Sequence, residues 1–221
     1  MYAQRIEAVF RNMDARGLSQ ILICDPRSVQ YLTGMYEDPH ERFLGVLLRK
    51  GADRPTLFAN NMFSVPADID CEVVRYSDTD DPLTPLAERC DADAVLGCDK
   101  NLPARFLLPL MERGAAAGFV LASDAVDAAR AIKDEREREL MRAASAANDA
   151  AMDRFRSLVR EGVTERAVAA QLEEIYQSLG AQGHSFAPIV CFGANAAESH
   201  HDPDDTQLKR GDAVLFDVGC R

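Results

Sequence analysis

Apolar positions along this chain change period repeatedly, and each change marks an element. Ile6, Val9, Phe10 and Met13 recur at helical spacing, and Gly17 follows as a stop. Leu18 to Cys24 is a short continuous apolar run, which predicts a buried strand. Asp25-Pro26 reads as an N-cap followed by proline at the first helical position, so a short helix should carry Val29, Tyr31 and Leu32. Phe43 to Leu48 and Pro55 to Ala59 are strand-like, with Gly51-Ala52-Asp53 between them as a hairpin turn. Glu72 to Tyr76, Ala94 to Cys98 and Phe119 to Ala122 predict further strands, alternating with helices over Pro82 to Cys90 and Pro103 to Arg113. That alternation predicts an α/β layer around a parallel or mixed sheet.

The texture changes near Ser123. Asp124 to Val159 is helix-rich without a strand signal, and Leu140, Ala144, Ala147, Ala151, Phe155 and Leu158 trace an apolar stripe. Asp134/Arg138 and Glu139/Arg142 are expected to pair on its wet face. Gly162 ends this stretch. Thr164 then caps a second helix with Ala167, Leu172, Ile175, Tyr176 and Leu179 on its apolar side. Two strand-like runs follow, Phe186 to Phe192 and Ala213 to Val218, around a polar loop from Gly193 to Gly211. The reading divides the chain into domains at 1–128 and 129–221. The last strand resembles the first arm of a hairpin, so the second domain is expected to be incomplete.

Composition narrows the function classes. The 221 residues contain 25 Lys+Arg and 36 Asp+Glu, a net charge of -11 that argues against nucleic-acid binding. No apolar run approaches the roughly 18 residues of a membrane span, and Met1 to Phe10 lacks a signal peptide's apolar centre. None of the six cysteines forms a C-x-x-C pair, so free thiols in a reducing cytoplasm are expected.

Few residues invite a chemical reading. Asp217 interrupts an apolar strand on the face of Leu215 and Ala213. If that face is buried, the carboxylate needs a partner or a metal; otherwise it caps a turn before Gly219. His200-His201-Asp202-Pro203-Asp204-Asp205 suggests a metal site, but neighbouring residues of an extended segment point to opposite sides, and a solvated polar loop is the plainer reading. His184 reads as structural or exposed, and His40 as solvent-exposed in a charged loop.

Three segments together resemble one family. Asp25-Pro26-Arg27-Ser28-Val29-Gln30-Tyr31-Leu32-Thr33-Gly34 resembles an N-terminal-domain motif of the creatinase/prolidase/Xaa-Pro aminopeptidase (M24 metallopeptidase) group. Arg130 to Arg142 resembles its inter-domain segment. Ser185 to Gly219 resembles its first active-site stretch, including the 17-residue step from His200 to Asp217. The resemblance implies a creatinase-like α/β domain with a mixed sheet flanked by helices, followed by an incomplete α+β pita-bread catalytic domain. It implies that Asp217 is a metal ligand, that His200 is a catalytic group contacting substrate, and that His201 and Asp202 are plain loop residues. It further implies two divalent metal ions (Mn, Co or Zn) in the complete enzyme, none held tightly by this chain. Substrates would be proline-containing peptides or dipeptides, the assembly a homodimer, the location cytoplasmic, with no nucleic-acid or membrane partner. The chain alone is expected to be inactive, since the other ligand residues of the family have no counterpart in it. Two alternatives remain open: a non-catalytic oligomerisation domain, and a metal-independent hydrolase of the creatinase kind.

Overall fold

The computed structural model describes residues 1–221 and resolves into two compact units, Met1–Ile132 and Lys133–Arg221. In the first, α1 (Ala3–Asp14) leads into β1 (Gln20–Ile23), α2 (Pro26–Thr33), β2 (Gly45–Arg49), β3 (Thr56–Asn60), β4 (Glu72–Tyr76), α3 (Leu83–Ala87), β5 (Val95–Cys98), α4 (Ala104–Glu112), β6 (Gly118–Leu121) and α5 (Asp124–Ala131). The six strands form one mixed sheet in the order β4-β3-β2-β1-β5-β6. β2 runs antiparallel to both β1 and β3, whereas β3/β4, β1/β5 and β5/β6 are parallel.

The continuous apolar runs of β1 to β3 follow from burial on both faces. Ile21, Ile23, Val46, Leu48, Leu57 and Ala59 face a core shared with α1, α2 and α5. Leu22, Leu47 and Phe58 alternate to the opposite core, under α3 and α4. Gln20 is buried at the start of β1, where its amide donates to the carbonyls of Asp91 (2.8 Å) and Ala94 (3.2 Å) and accepts from Asp91 N–H (2.8 Å). A buried amide satisfied on both sides fixes the approach of β5 to β1.

Asp25 caps α2 as expected, accepting from the Ser28 N–H and hydroxyl at 2.8 Å each. Asn101 donates to its other oxygen at 3.0 Å. Gly34 ends α2 with φ of 80°, a left-handed position that favours glycine. α3 is shorter than the sequence pattern suggests: it ends at Ala87, with Leu83 and Leu86 buried, although Cys90 beyond it still reaches the core.

In the second unit, α6 (Glu135–Arg156), α7 (Glu165–Ser178) and a two-stranded antiparallel ribbon of β7 (Ile189–Phe192) and β8 (Val214–Asp217) enclose a third core. Ala151, Phe155, Val168, Leu172, Tyr176, Val190 and Phe192 form its centre, with Val214 and Phe216 packed against it. The helix-rich stretch after Ser123 is broken at Ile132, whose backbone is extended, and restarts at Asp134. Asp134 and Glu137 form a reciprocal capping box. The expected apolar stripe of α6 is only partly used: Ala151 and Phe155 are buried, but Leu140 is 52% exposed and Ala144 is exposed too. α7 meets α6 towards its C-terminal half, where the Tyr176 hydroxyl donates to Asn148 at 2.6 Å. On the wet face Arg136 pairs with Glu139 (3.3 Å), and Arg142 and Arg138 both pair with Glu135, so Glu139 is engaged by Arg136 in place of the expected Arg142. β7 starts three residues later than expected, since Pro188 has no N–H for the ladder and Phe186 is 46% exposed.

Candidate active-site cleft

The ribbon and the loop between its strands build one cleft. Register places Ile189 opposite Asp217 and Cys191 opposite Leu215. Val214 and Phe216 turn to the helical core, so Leu215 and Asp217 must turn the other way. That face is open: Leu215 is 37% exposed, and the Asp217 carboxylate is exposed, with no hydrogen-bond or ion-pair partner. The burial that would have required a partner for Asp217 is therefore absent. Asp217 lines a cleft of about 380 Å³ together with Ile189, Leu215, Ser199 and His200.

Gly193 opens the loop with φ of 55°, and a Cβ there would press on the Asp212 carboxylate at 3.2 Å. One turn of 3-10 helix, Gly193–Ala197, then leads to His200. His200 has φ of 65°, a left-handed conformation that costs an L residue about 1–2 kcal/mol. The returning arm pairs with the lead-in to α7: Leu208 N–H donates to Val163 (2.9 Å), Glu165 N–H to Thr206 (3.2 Å) and Arg166 N–H to Asp204 (3.0 Å).

His200 and His201 diverge, with the chain turning at His200 rather than running extended through it. His200 faces the cleft, whereas the His201 ring is 13% exposed and turns to the buried Glu165. The Glu165 carboxylate accepts from Phe192 N–H (2.7 Å) and Asn195 Nδ2 (3.0 Å) on one oxygen, and from His201 Nε2 (2.9 Å) and Asp204 N–H (3.1 Å) on the other. An ionised carboxylate only accepts, so the proton sits on Nε2 of His201. Glu165 hydrogen bonding raises the His201 pKa above its ordinary value against the smaller opposing effect of burial, with Asp204 and Glu198 adding to the rise.

Glu165, His201 and Asp204 also bring donor atoms within 4.8 Å of one another, a spacing that would suit a metal ion. The chemistry of the set does not fit one. Four donors already fill the roughly four acceptor positions of the Glu165 carboxylate, and the His201 nitrogen facing it is protonated. Asp217 does fit a ligand role, because its carboxylate is free and faces the cleft, but it is a single ligand.

Of the other histidines, His40 is 72% exposed. His184 packs edge-on against Tyr176, with ring centroids 5.6 Å apart and Nδ1 buried without a hydrogen-bond partner. All six cysteines are free and all but Cys220 are buried. Burial pushes the Cys90 and Cys98 thiols up to about 11. No helix is long and apolar enough to cross a membrane. Sequence reasoning missed Glu165, and with it the inward turn of His201. An acidic residue in a helix's first turn is ordinary, so composition and periodicity gave no sign of it.

Comparison with known proteins agrees with this architecture. The profile of the creatinase/prolidase N-terminal domain matches residues 5–132, and that of metallopeptidase family M24 matches residues 139–221. The chain belongs to this creatinase/prolidase family, with a creatinase-like mixed-sheet domain followed by the start of an M24 domain. It is 30% identical over 223 residues to the putative dipeptidase YkvY of Bacillus subtilis, an alignment covering 97% of this chain and 61% of that protein. Crystal structures of a prolidase from Thermococcus sibiricus (26% identity, TM-score 0.85) and of the dipeptidase PepE from Mycobacterium ulcerans (27%, TM-score 0.83) superpose on 100% and 99% of this chain. These superpositions use 62% and 60% of the respective partners. The chain thus spans about three-fifths of the length of the relatives it matches.

Proposed function

We propose that these residues belong to a metal-dependent peptidase of the Xaa-Pro dipeptidase or aminopeptidase type, with His200 and Asp217 as its substrate-facing and metal-binding groups. The observation that supports this best is their convergence: two side chains 17 positions apart line one cleft, the carboxylate free and the imidazole held in an unusual backbone conformation. The dipeptidase and prolidase relatives support the substrate class, peptides or dipeptides containing proline.

Asp217 would contribute one carboxylate to a site for two divalent ions, manganese, cobalt or zinc. Ions of this class, when bound, supply a water of lowered pKa and a Lewis acid at the scissile carbonyl. The chain's own residues would bind and orient around that centre. An N–H of the His200 imidazole would donate to the substrate carbonyl oxygen as negative charge develops there, which is worth most where water is excluded. Leu215 and Ile189 would give the cleft an apolar wall against which a proline ring can pack. The free, buried thiols support a reducing cytoplasm as the setting. A homodimer is the assembly we expect from the family resemblance.

One carboxylate cannot assemble a two-metal centre, so the 221-residue chain alone should neither hydrolyse Xaa-Pro dipeptides nor bind manganese tightly. The check is a dipeptide assay combined with manganese-induced broadening of backbone NMR signals. No turnover is expected, with weak broadening centred on Asp217 that Asp217→Asn removes. Robust cleavage by the purified chain would overturn its inactivity. Broadening that ignores Asp217 would overturn the ligand assignment.

A further inference from the structure

Glu165 is the only acidic or basic side chain of residues 133–221 that is fully buried, and nothing in the peptidase reading uses it. Its four donors come from both sides of His200: Phe192 and Asn195 precede it, His201 and Asp204 follow it. Asn195 is tied again to Thr206 at 3.2 Å, and the Asp204 carboxylate accepts from Thr206 N–H at 2.7 Å. A loop pinned at four points around one buried anion cannot relax at its centre without breaking a charge-assisted hydrogen bond. The centre of this loop is His200, the residue in the left-handed conformation. Strained backbone persists where its surroundings over-determine it.

We propose that Glu165 is a positioning residue, a buried carboxylate that clamps the two flanks of the 193–206 loop and thereby holds the His200 imidazole at the cleft. The proposal rests on the reading of His200 as a substrate-contacting group. Glu165 touches neither the cleft nor Asp217, so it acts only through the loop. His201 is the adjustable arm of the clamp, since it faces Glu165 at 2.9 Å, Glu198 at 3.5 Å and Asp204 at 3.8 Å, three carboxylates that all favour its charged form.

The test is NMR spectroscopy of the 221-residue chain carrying Glu165→Gln or His201→Phe. Glutamine keeps the size of Glu165 but turns an NH2 group towards N–H donors. The Phe192 and Asp204 amides should then exchange at least about tenfold faster, the effect of losing a hydrogen bond to a charged group. The His200 Cα shift should leave its left-handed value, and the His201 midpoint should fall towards about 6.5. If Glu165→Gln does not fold, His201→Phe, which keeps a ring but has no donor and so leaves the carboxylate with three donors, must still move the His200 shift. A folded variant in which the His200 shift and Asp204 protection equal those of the parent overturns the clamp. The functional reading fails separately: if His200→Ala leaves the binding of a proline dipeptide unchanged while the clamp signatures stay intact, His200 is positioned but not used.

Discussion

Asp25 joins three parts of the first unit through one side chain. It caps α2 through Ser28, accepts from Asn101 beyond β5, and has Arg130 of α5 3.5 Å away. Burial pushes its pKa up, but the Ser28 and Asn101 bonds and the Arg130 charge outweigh that, leaving it below the ordinary 3.8. A lowered carboxylate pKa contributes stability above the unfolded value and loses it as pH falls through the folded one. Asp25→Ala should cost about 0.5–2 kcal/mol at pH 7, the usual effect of losing a cap. Asp25→Asn should retain much of the cap while removing this site's share of the acid-induced loss. Urea titrations at neutral and acidic pH would check both, and an Asn variant as acid-sensitive as the parent would contradict the account. Asp25 could be read from the sequence because Asp-Pro before an apolar run has a local meaning. Glu165 could not, because its partners lie 27 to 39 positions away and only the fold brings them together.

Among the elements, β1 to β3 were readable because each is an apolar run buried on two faces and bounded by turn residues. The ends of α3 and β7 were less so, because they depend on which side chains find a neighbour. The stripe on α6 shows the same limit. Periodicity identifies a face that can be buried, but α7 and the ribbon reach it only near Asn148, Ala151 and Phe155. Phe155 is the hinge of that contact, edge-on to Tyr176 at 5.2 Å and stacked with Phe216 at 5.9 Å. Phe155→Ala should therefore destabilise the second unit by about 3–5 kcal/mol, through lost burial plus the cavity left behind. Loss of the β7/β8 amide protection at lower denaturant, with β1 to β3 unaffected, is the expected signature in hydrogen exchange.

At the scale of the whole molecule, each unit has its own core. The first encloses its sheet between α1, α2 and α5 on one face and α3 and α4 on the other. A polypeptide of residues 1–132 should consequently fold by itself, with dispersed amide resonances and cooperative unfolding. A molten or aggregated fragment would show that the first core is insufficient alone.

The place of β1 in the sheet also has a consequence for the growing polypeptide. Gln20 to Ile23 meets β2 on one edge soon after both are made, but its other edge waits for Leu96 to Cys98. At about 5–20 residues per second, that edge stands unpaired for several seconds of translation, and it is the kind of apolar strand that recruits stray partners. Gln20 sits at the start of it, carrying an amide that only the Asp91–Ala94 turn satisfies in full. A wrong strand arriving first would leave that amide unmet, so the side chain that seats β5 in the finished protein also weighs against a mispaired edge.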